Sequence, residues 1–260
     1  MDTFNFKRFV KTFKWYLKMK SGALLKWLGI AALGTLLIEV LMIVTTGILY
    51  HIAVKTAFNI CMFAFFIAFS VALSNIFADL RSKARRTSFL MLPAANSEKY
   101  LTAFLYCSLI WPIATFVAFA VGDTVRMLMG ALVWRYDMIS SVYDWLVRLN
   151  DSKITSSAFT LGEIAGWTSL IWGHSLYVAC GTWFKKVPYI IATAIGFAIF
   201  FAVAYFIHRY LFDKQTMLVN FNDTFKYVMI TFFVVSAIVN YCSSYIKFKK
   251  FNVVTGNWLN

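Results

Sequence analysis

The sequence predicts an all-α, polytopic membrane protein with six transmembrane helices and an N-terminal interfacial amphipathic helix. Of its 260 residues, 61% are hydrophobic, 14% are charged and only three are proline. A soluble domain of this size could not bury so much apolar surface, so we expect the bilayer to be the solvent for most of the chain. The 27 phenylalanines and 9 tryptophans agree with this, because aromatic rings gather at membrane interfaces.

Six apolar segments are long enough to cross a bilayer, which takes ~20 residues. They lie near 27–49, 57–77, 101–121, 164–183, 189–207 and 226–244. No long polar or low-complexity stretch separates them, so we expect 1–260 to form a single transmembrane domain. The first residues carry no small-residue cleavage site, and we expect them to be retained.

The distribution of lysine and arginine predicts the orientation. With the N-terminus inside, the inner segments hold 17 basic and three acidic residues, whereas the outer segments hold eight basic and seven acidic ones. Because positively charged flanks stay in the cytoplasm, both termini are expected there. The formal charge of +14 does not indicate nucleic acid, since the basic residues flank the spans and form no separate basic domain.

Residues 4–20 predict an amphipathic helix that does not cross the membrane. One face carries Phe6, Phe9, Val10, Phe13, Tyr16 and Leu17, and the other carries Lys7, Lys11, Lys14 and Lys18. We expect it to lie in the inner interface, with its rings at the acyl boundary and its lysines on anionic membrane lipids. A simple anchor and a mechanical role coupled to the first span both remain open.

Two outer stretches are too polar to span. The segment 122–163 is interrupted by Arg135, Asp137 and Asp144. Its aromatic and apolar residues predict a short surface helix on the outer leaflet, as a packed loop or a lid; they are Trp134, Tyr136, Val142, Tyr143, Trp145 and Leu146. The stretch 208–225 predicts a brief turn between the last two spans.

The sequence contains no motif for a known catalytic site. HExxH, GxSxG and the phosphate-binding GxxxxGK[ST] are all absent. His51, His174 and His208 are scattered without metal-ligand spacing, and the four cysteines lack CxxC pairs, so free thiols and no metal are expected. Within the fourth span, His174 is more typical of a hydrogen bond to a neighbouring helix than of catalysis. We therefore expect neither an enzyme nor a cofactor.

Glu39 is the charged residue near the middle of the first span. An ionised carboxylate there costs ~3 kcal/mol on insertion scales, so it should face a helix partner or water, or be protonated. It is either a pathway or subunit-interface residue, or a neutral acid hydrogen-bonded to another span. A lipid-acting enzyme would require Glu39 and His174 to meet.

The inner loop 78–100 joins the second and third spans. A basic cluster at 81–86 is followed by the apolar run 89–92 and a break at Pro93. Asn96 is a candidate helix cap, and Glu98 in the first turn suits the positive end of the helix dipole. The pattern predicts a short amphipathic helix at the cytoplasmic surface. It is either a capped start to the third span or a docking element.

Three segments resemble one family. The run LPAANSEKY at 92–100 is similar to the LPAS-x-x-EK-aromatic box in permease subunits of type 2 ABC exporters, particularly those of Bacteroidetes-like bacteria. Residues 174–186 resemble that family's fourth span and its cytoplasmic exit, and 245–250 resemble its aromatic–basic tail. Ala95 stands where the family usually has serine, so the cap would shift to Asn96 or be lost.

The resemblance implies a permease subunit in a bacterial cytoplasmic (inner) membrane. Its loop would carry a coupling helix that docks on a separate ABC ATPase subunit, which would bind the ATP and magnesium. The implied contact residues are Pro93, Asn96, Ser97, Glu98, Lys99 and Tyr100. A second permease copy or homologue would complete the export pathway. The alternative is a non-transporting membrane sensor or immunity protein that binds a peptide or a lipid.

Overall fold

A computed structural model of the chain describes residues 3–46, 50–133, 140–143, 147, 160–211 and 218–251. Every regular element in these ranges is helical, which confirms the all-α class. The helices are α1 (Phe6–Thr46), α2 (Tyr50–Ser74), α3 (Lys83–Leu90), α4 (Asn96–Leu105), α5 (Trp111–Val133), α6 (Leu161–Trp183), α7 (Pro188–Leu211) and α8 (Leu218–Lys249). A 3₁₀ turn (Ala78–Arg81) precedes α3, and a π-helical turn (Tyr106–Ile110) joins α4 to α5.

Four helical stretches in the described part of the chain are long and apolar enough to cross a membrane. They are Phe6–Val44, Lys55–Ser74, Asn96–Leu132 and Lys226–Lys249. In α7, Pro188–Val203 forms a shorter apolar stretch. The fourth predicted span coincides with α6, whose apolar character is reduced by polar residues such as His174 and Ser175. The total of six spans therefore stays a prediction.

The N-terminal segment differs from the prediction. The 4–20 helix and the first span are not separate elements, because α1 runs without a break through 41 residues, about 60 Å. No proline stands between them, and Gly22 alone costs only ~1 kcal/mol relative to alanine. That cost is too small to end a helix whose neighbouring residues all favour it. The interfacial position of 4–20 stays a prediction.

The third span continues further than predicted. The sequence indicated an end near residue 121, yet α5 extends to Val133 and includes Asp123 and Arg126. Asp123 and Arg126 form an ion pair with each other, so both charges are compensated within the helix without contact with water. Of the predicted outer surface helix, Val142 and Tyr143 are helical. The other residues named for that segment lie outside the described residues: Trp134, Arg135, Tyr136, Asp137, Asp144, Trp145 and Leu146.

The chain divides into two compact units. Unit 1 comprises Met1–Thr12, Ser70–Phe104 and Ala158–Asn260, and unit 2 comprises Phe13–Phe69 and Leu105–Ser157. In unit 2, α1 and α5 run parallel. Residues further along α1 contact residues further along the segment 106–126. Tyr16 packs edge-on against Tyr106, Trp27 stacks on Trp111, and Glu39 accepts a hydrogen bond from Arg126. A parallel pair is what two spans separated by one returning helix require.

In unit 1, α6 and α8 are joined by a seam of side-chain hydrogen bonds. The pairs are His174 Nδ1 with Tyr241 Oη (2.7 Å), Asn240 Nδ2 to Ser175 Oγ (3.1 Å), Thr182 Oγ1 to Ser244 Oγ (2.8 Å) and Trp183 Nε1 to Ser243 Oγ (2.9 Å). These helices are also parallel, since later residues of one meet later residues of the other. Interhelical hydrogen bonds in membranes are worth about 0.6 kcal/mol each on average, so the seam stabilises through its number of bonds.

Gly181 sets the distance between α6 and the end of α2. A Cβ atom at this position would lie 2.6 Å from the backbone oxygen of Ser74, well inside van der Waals contact. Only a residue without a side chain lets the two backbones approach so closely. The small residue is therefore needed for packing within unit 1.

We expect Gly181→Ala to lower the thermal unfolding midpoint of the detergent-solubilised protein, because the new methyl group must displace backbone. The loss should correspond to about 1–3 kcal/mol. Gly173→Ala in the same helix is the matched control, since nothing lies within 4 Å of a Cβ there. It should leave the midpoint unchanged or raise it. Equal midpoints for the two variants would contradict the packing role.

Candidate functional site

Glu98 is the centre of a buried cluster that ties the start of α4 to the start of α1. Its side chain is 0% exposed. The carboxylate accepts four hydrogen bonds: from Asn5 N at 2.8 Å, Arg8 Nε at 2.7 Å, Arg8 Nη2 at 2.6 Å and Ala95 N at 3.1 Å. The two-pronged contact with Arg8 is the geometry in which a guanidinium and a carboxylate bind most strongly. We call Glu98 and its three partner residues the N-terminal clasp.

Lys99 and Tyr100 also point inward. Lys99 is buried, and its Nζ donates to the backbone oxygen of Leu90 at 2.6 Å, so it satisfies the last carbonyl of α3. Tyr100 Oη donates to Ser244 Oγ at 3.1 Å, and its ring packs against Phe248. Three of the six residues predicted to contact an ATPase thus have partners inside this chain.

The helix α3 has two different faces, as its sequence predicted. Ser82 caps it by accepting from Arg85 N at 3.3 Å. Phe89 is buried against Phe248, and buried Arg86 donates to the backbone oxygen of Leu80 at 3.3 Å. The opposite face is exposed together with the turn that follows it. We call this exposed set the loop surface: Lys83, Arg85, Ser88, Met91, Pro93 and Asn96.

The 3₁₀ turn before α3 is held by Arg81. Its Nη1 donates to Asn75 Oδ1 at 2.7 Å, and partial burial lowers the pKa of the guanidinium from its ordinary value. Arginine remains protonated under any physiological condition, so the bond keeps its charge. The turn therefore holds the end of α2 and the beginning of α3 in one arrangement.

The start of α4 corrects the predicted cap. The helix begins at Asn96 itself, so Asn96 is its first residue and not its cap. The cap position belongs to Ala95, whose carbonyl accepts the first helical bond from Lys99 N at 3.0 Å. Glu98 reaches back to Ala95 N, which is half of a capping box. The missing half is a hydroxyl at position 95.

Glu39 is fully buried in unit 2 and paired. Arg126 Nε donates to Glu39 Oε2 at 3.2 Å, and Arg126 Nη2 makes a short ion pair with Asp123. Asp123 Oδ2 also accepts from Ser140 Oγ at 2.8 Å and from Val142 N at 3.2 Å. The sequence predicted that Glu39 faces a helix partner or water, or is protonated. It named neither Asp123 nor Arg126, since both were assigned to an outer loop.

Within the part of the chain that the structure describes, the charges of this cluster do not balance. Two carboxylates of the described residues face one guanidinium, and Arg126 is 0% exposed. Glu39 Oε1 is also buried without a hydrogen-bond partner among the described residues. A proton on Glu39 removes the surplus charge and gives this carboxyl group a hydrogen to donate. The described residues of the cluster can therefore hold one proton.

His174 belongs to unit 1, whereas Glu39 belongs to unit 2. His174 has its hydrogen bond to Tyr241 in the α6–α8 seam and an edge-on contact with Phe104, 5.6 Å between ring centroids. A hydrogen bond to a neighbouring helix is the role expected for it. Each of the two residues has partners within its own unit.

The four anchor lysines of α1 are all exposed: Lys7, Lys11, Lys14 and Lys18. Phe9 and Tyr16, on the other side of the helix, are buried in the protein, although the sequence suggested that they face lipid. Phe6 is 69% exposed, so its ring is accessible for the predicted contact with lipid. The lysine face thus stays accessible to lipid head groups.

Comparison with known proteins identifies no relative of this chain. No family model matches it, and neither a curated protein nor a solved structure is significantly similar. Among the described residues, no group of three or more histidine, cysteine or acidic side chains could hold a metal ion. The functional argument therefore depends on the residues and contacts described above.

The incomplete capping box gives a stability prediction. Ala95→Ser supplies the missing hydroxyl, which can accept from Glu98 N, so we expect a gain of about 1 kcal/mol. Ala95→Cys is the control, because its side chain is of similar size but accepts hydrogen bonds only weakly. Thermal unfolding of both variants in detergent measures the difference. Equal stability of the serine and cysteine variants would show that capping is not the cause.

The buried charges of unit 2 give a second prediction. Arg126→Met leaves two buried carboxylates without this guanidinium, so unfolding should become easier by about 3–5 kcal/mol. Glu39→Gln removes the surplus charge and keeps an acceptor for Arg126, so its effect should stay within ~1 kcal/mol. Glu39→Lys sets two cations against each other and should be the most harmful. A ranking in which Arg126→Met is as stable as Glu39→Gln would refute the charge balance.

Proposed function

We propose that the chain is the transmembrane permease subunit of an ATP-driven exporter. One observation carries the proposal: the loop surface is exposed, whereas the residues immediately beneath it are buried and tied to the helices that lead into the membrane. Glu98 joins the loop to the first turn of α1, and Lys99 joins the start of α4 to the end of α3. The resemblance of 92–100 to an exporter coupling loop supports the same function.

This arrangement suits the transmission of force. A partner that pushes on the loop surface would move α3, the turn and the start of α4 as one body, because Lys99 and the N-terminal clasp hold them together. Both α1 and α4 continue into apolar helical stretches. ATP can drive a change only if the partner contacts the loop surface differently in its two states. A rigid loop passes that difference to the spans.

The docking residues follow from exposure. In this proposal Pro93 and Asn96 contact the ATPase, together with the basic residues Lys83 and Arg85 and with Met91, which is 71% exposed. Glu98, Lys99 and Tyr100 are positioning residues that shape the loop from below. The partner surface should therefore present acidic groups around an apolar pocket.

ATP hydrolysis belongs to the separate subunit in this proposal, since the sequence has no phosphate-binding loop. A second permease copy or homologue completes the pathway, and the chain works as a multi-pass protein of the bacterial cytoplasmic membrane with both termini inside. A sensor or immunity protein would need no ATPase subunit bound to the loop surface. That difference makes the two functions experimentally distinct.

Charge reversal on the loop surface tests the proposal. The tagged protein is purified in mild detergent from cells that make it, and co-purifying proteins are identified by mass spectrometry and assayed for ATPase activity. We expect a soluble subunit with a phosphate-binding loop, and we expect Lys83→Glu with Met91→Glu to remove it. Arg85 is left unchanged, because its guanidinium also pairs with the buried Asp79 carboxylate at 3.8 Å. Exchange of Glu98 and Lys99 is unsuitable as a test, because it would break the N-terminal clasp.

Lys185→Glu with Lys186→Glu is the matched control. These two lysines are also exposed and also predicted to be cytoplasmic, but they lie between α6 and α7. The control should retain the subunit. Loss in both double variants would indicate a general charge effect, and a well-folded wild-type protein without any ATPase would favour the sensor or immunity function.

A further inference from the structure

A half-open groove lies in unit 1 between α6, α7 and α8. It has a volume of about 350 Å³. One wall is aromatic and apolar, and the other is a polar stripe along α8. The aromatic residues are Trp172, Trp183, Phe184 and Phe232, and the polar residues are Ser236, Asn240 and Ser243.

The polar stripe follows one face of α8, since its residues are four and three positions apart. Two of its members are held in place by α6: Asn240 donates to Ser175, and Ser243 accepts from Trp183. An occupant made only of hydrocarbon could not form hydrogen bonds with the polar atoms that this stripe presents to the groove. An occupant with a polar or ester portion beside an apolar chain would match both walls.

A cation stands at one end of this stripe. Lys247 follows Ser243 by one helical turn on the same face, and its Nζ lies 4.9 Å from the ring centroid of Trp183, which lines the groove. No acidic side chain of the described residues pairs with Lys247. The cation–π contact orients the ammonium group without neutralising it. The groove thus combines an apolar wall, a polar stripe and a positive charge that no acidic side chain of the described residues neutralises.

We propose that this groove binds one anionic phospholipid, with its phosphate at Lys247, its ester region along Ser243 and Asn240, and an acyl chain against the aromatic wall. The charge selects an anionic head group, because a zwitterionic lipid places a second cation near Lys247. This inference is independent of the proposed exporter function.

Lipid titration with native mass spectrometry tests the site on the purified full-length protein. The probes are phosphatidylglycerol and phosphatidylcholine with identical acyl chains. We expect one phosphatidylglycerol to bind more tightly than phosphatidylcholine. Lys247→Gln should weaken phosphatidylglycerol binding about fivefold, the effect of one basic residue near a membrane surface, and leave phosphatidylcholine unchanged.

Lys249→Gln is the matched control. It removes the same charge from the same helix, and Lys249 also stands over a ring, but that ring belongs to Tyr245, which does not line the groove. It should keep the preference of the wild type. Equal losses in the two lysine variants, or no head-group preference in the wild type, would overturn the proposal.

Two further measurements define the occupant. Ser236→Leu places a larger apolar side chain in the groove and should weaken the binding of both lipids. An unchanged affinity would show that the lipid binds elsewhere. Glycerophosphate without acyl chains should not compete with phosphatidylglycerol. Competition by glycerophosphate would show that the site recognises a soluble phosphate and not a lipid, and would also overturn the proposal.

Discussion

The carboxylate of Glu98 is the group on which the contact between the start of α1 and the start of α4 depends. It lies beneath an exposed loop, has no contact with solvent, and is satisfied by backbone and side-chain donors from two separate parts of the chain. Such a group stabilises only as a complete set, since each missing donor leaves a buried charge less compensated. The position of α1, the start of α4 and the shape of the loop surface are therefore determined together.

Each compact unit contains a buried site in which a guanidinium pairs with a carboxylate, and the Arg8 and Arg126 sites differ in their electrostatics. In unit 1 Arg8 and Glu98 balance, and Arg8 is partly exposed, so the pair suits a fixed structural joint. In unit 2 Arg126 faces both Glu39 and Asp123 without access to water. A balanced pair has one stable charge state. Among the described residues the second cluster carries a surplus negative charge, which a proton on Glu39 would remove.

Several features could be predicted from the sequence because they depend on local pattern. Apolar runs indicated the four membrane-compatible helical stretches, and the break at Pro93 indicated the start of α4 to within one residue. The partner of Glu39 could not be found in this way, because it depends on the register between α1 and α5. A hydropathy argument also ends a span at its first charges, and here Asp123 and Arg126 are tolerated because they pair. Exposure within the loop was likewise beyond the sequence, since nothing local distinguishes buried Glu98 from exposed Asn96.

The parallel pairing of α1 and α5 has a consequence for biosynthesis. Glu39 leaves the ribosome 87 residues before Arg126, so the first span enters the membrane while its compensating charge does not yet exist. During that interval the carboxyl group of Glu39 has to be protonated or remain in contact with the insertion machinery. The first span becomes electrostatically complete only when α5 arrives beside it. Insertion of α1 and its packing are thus separate steps in time, because α1 reaches its final contacts only after α5 has been made.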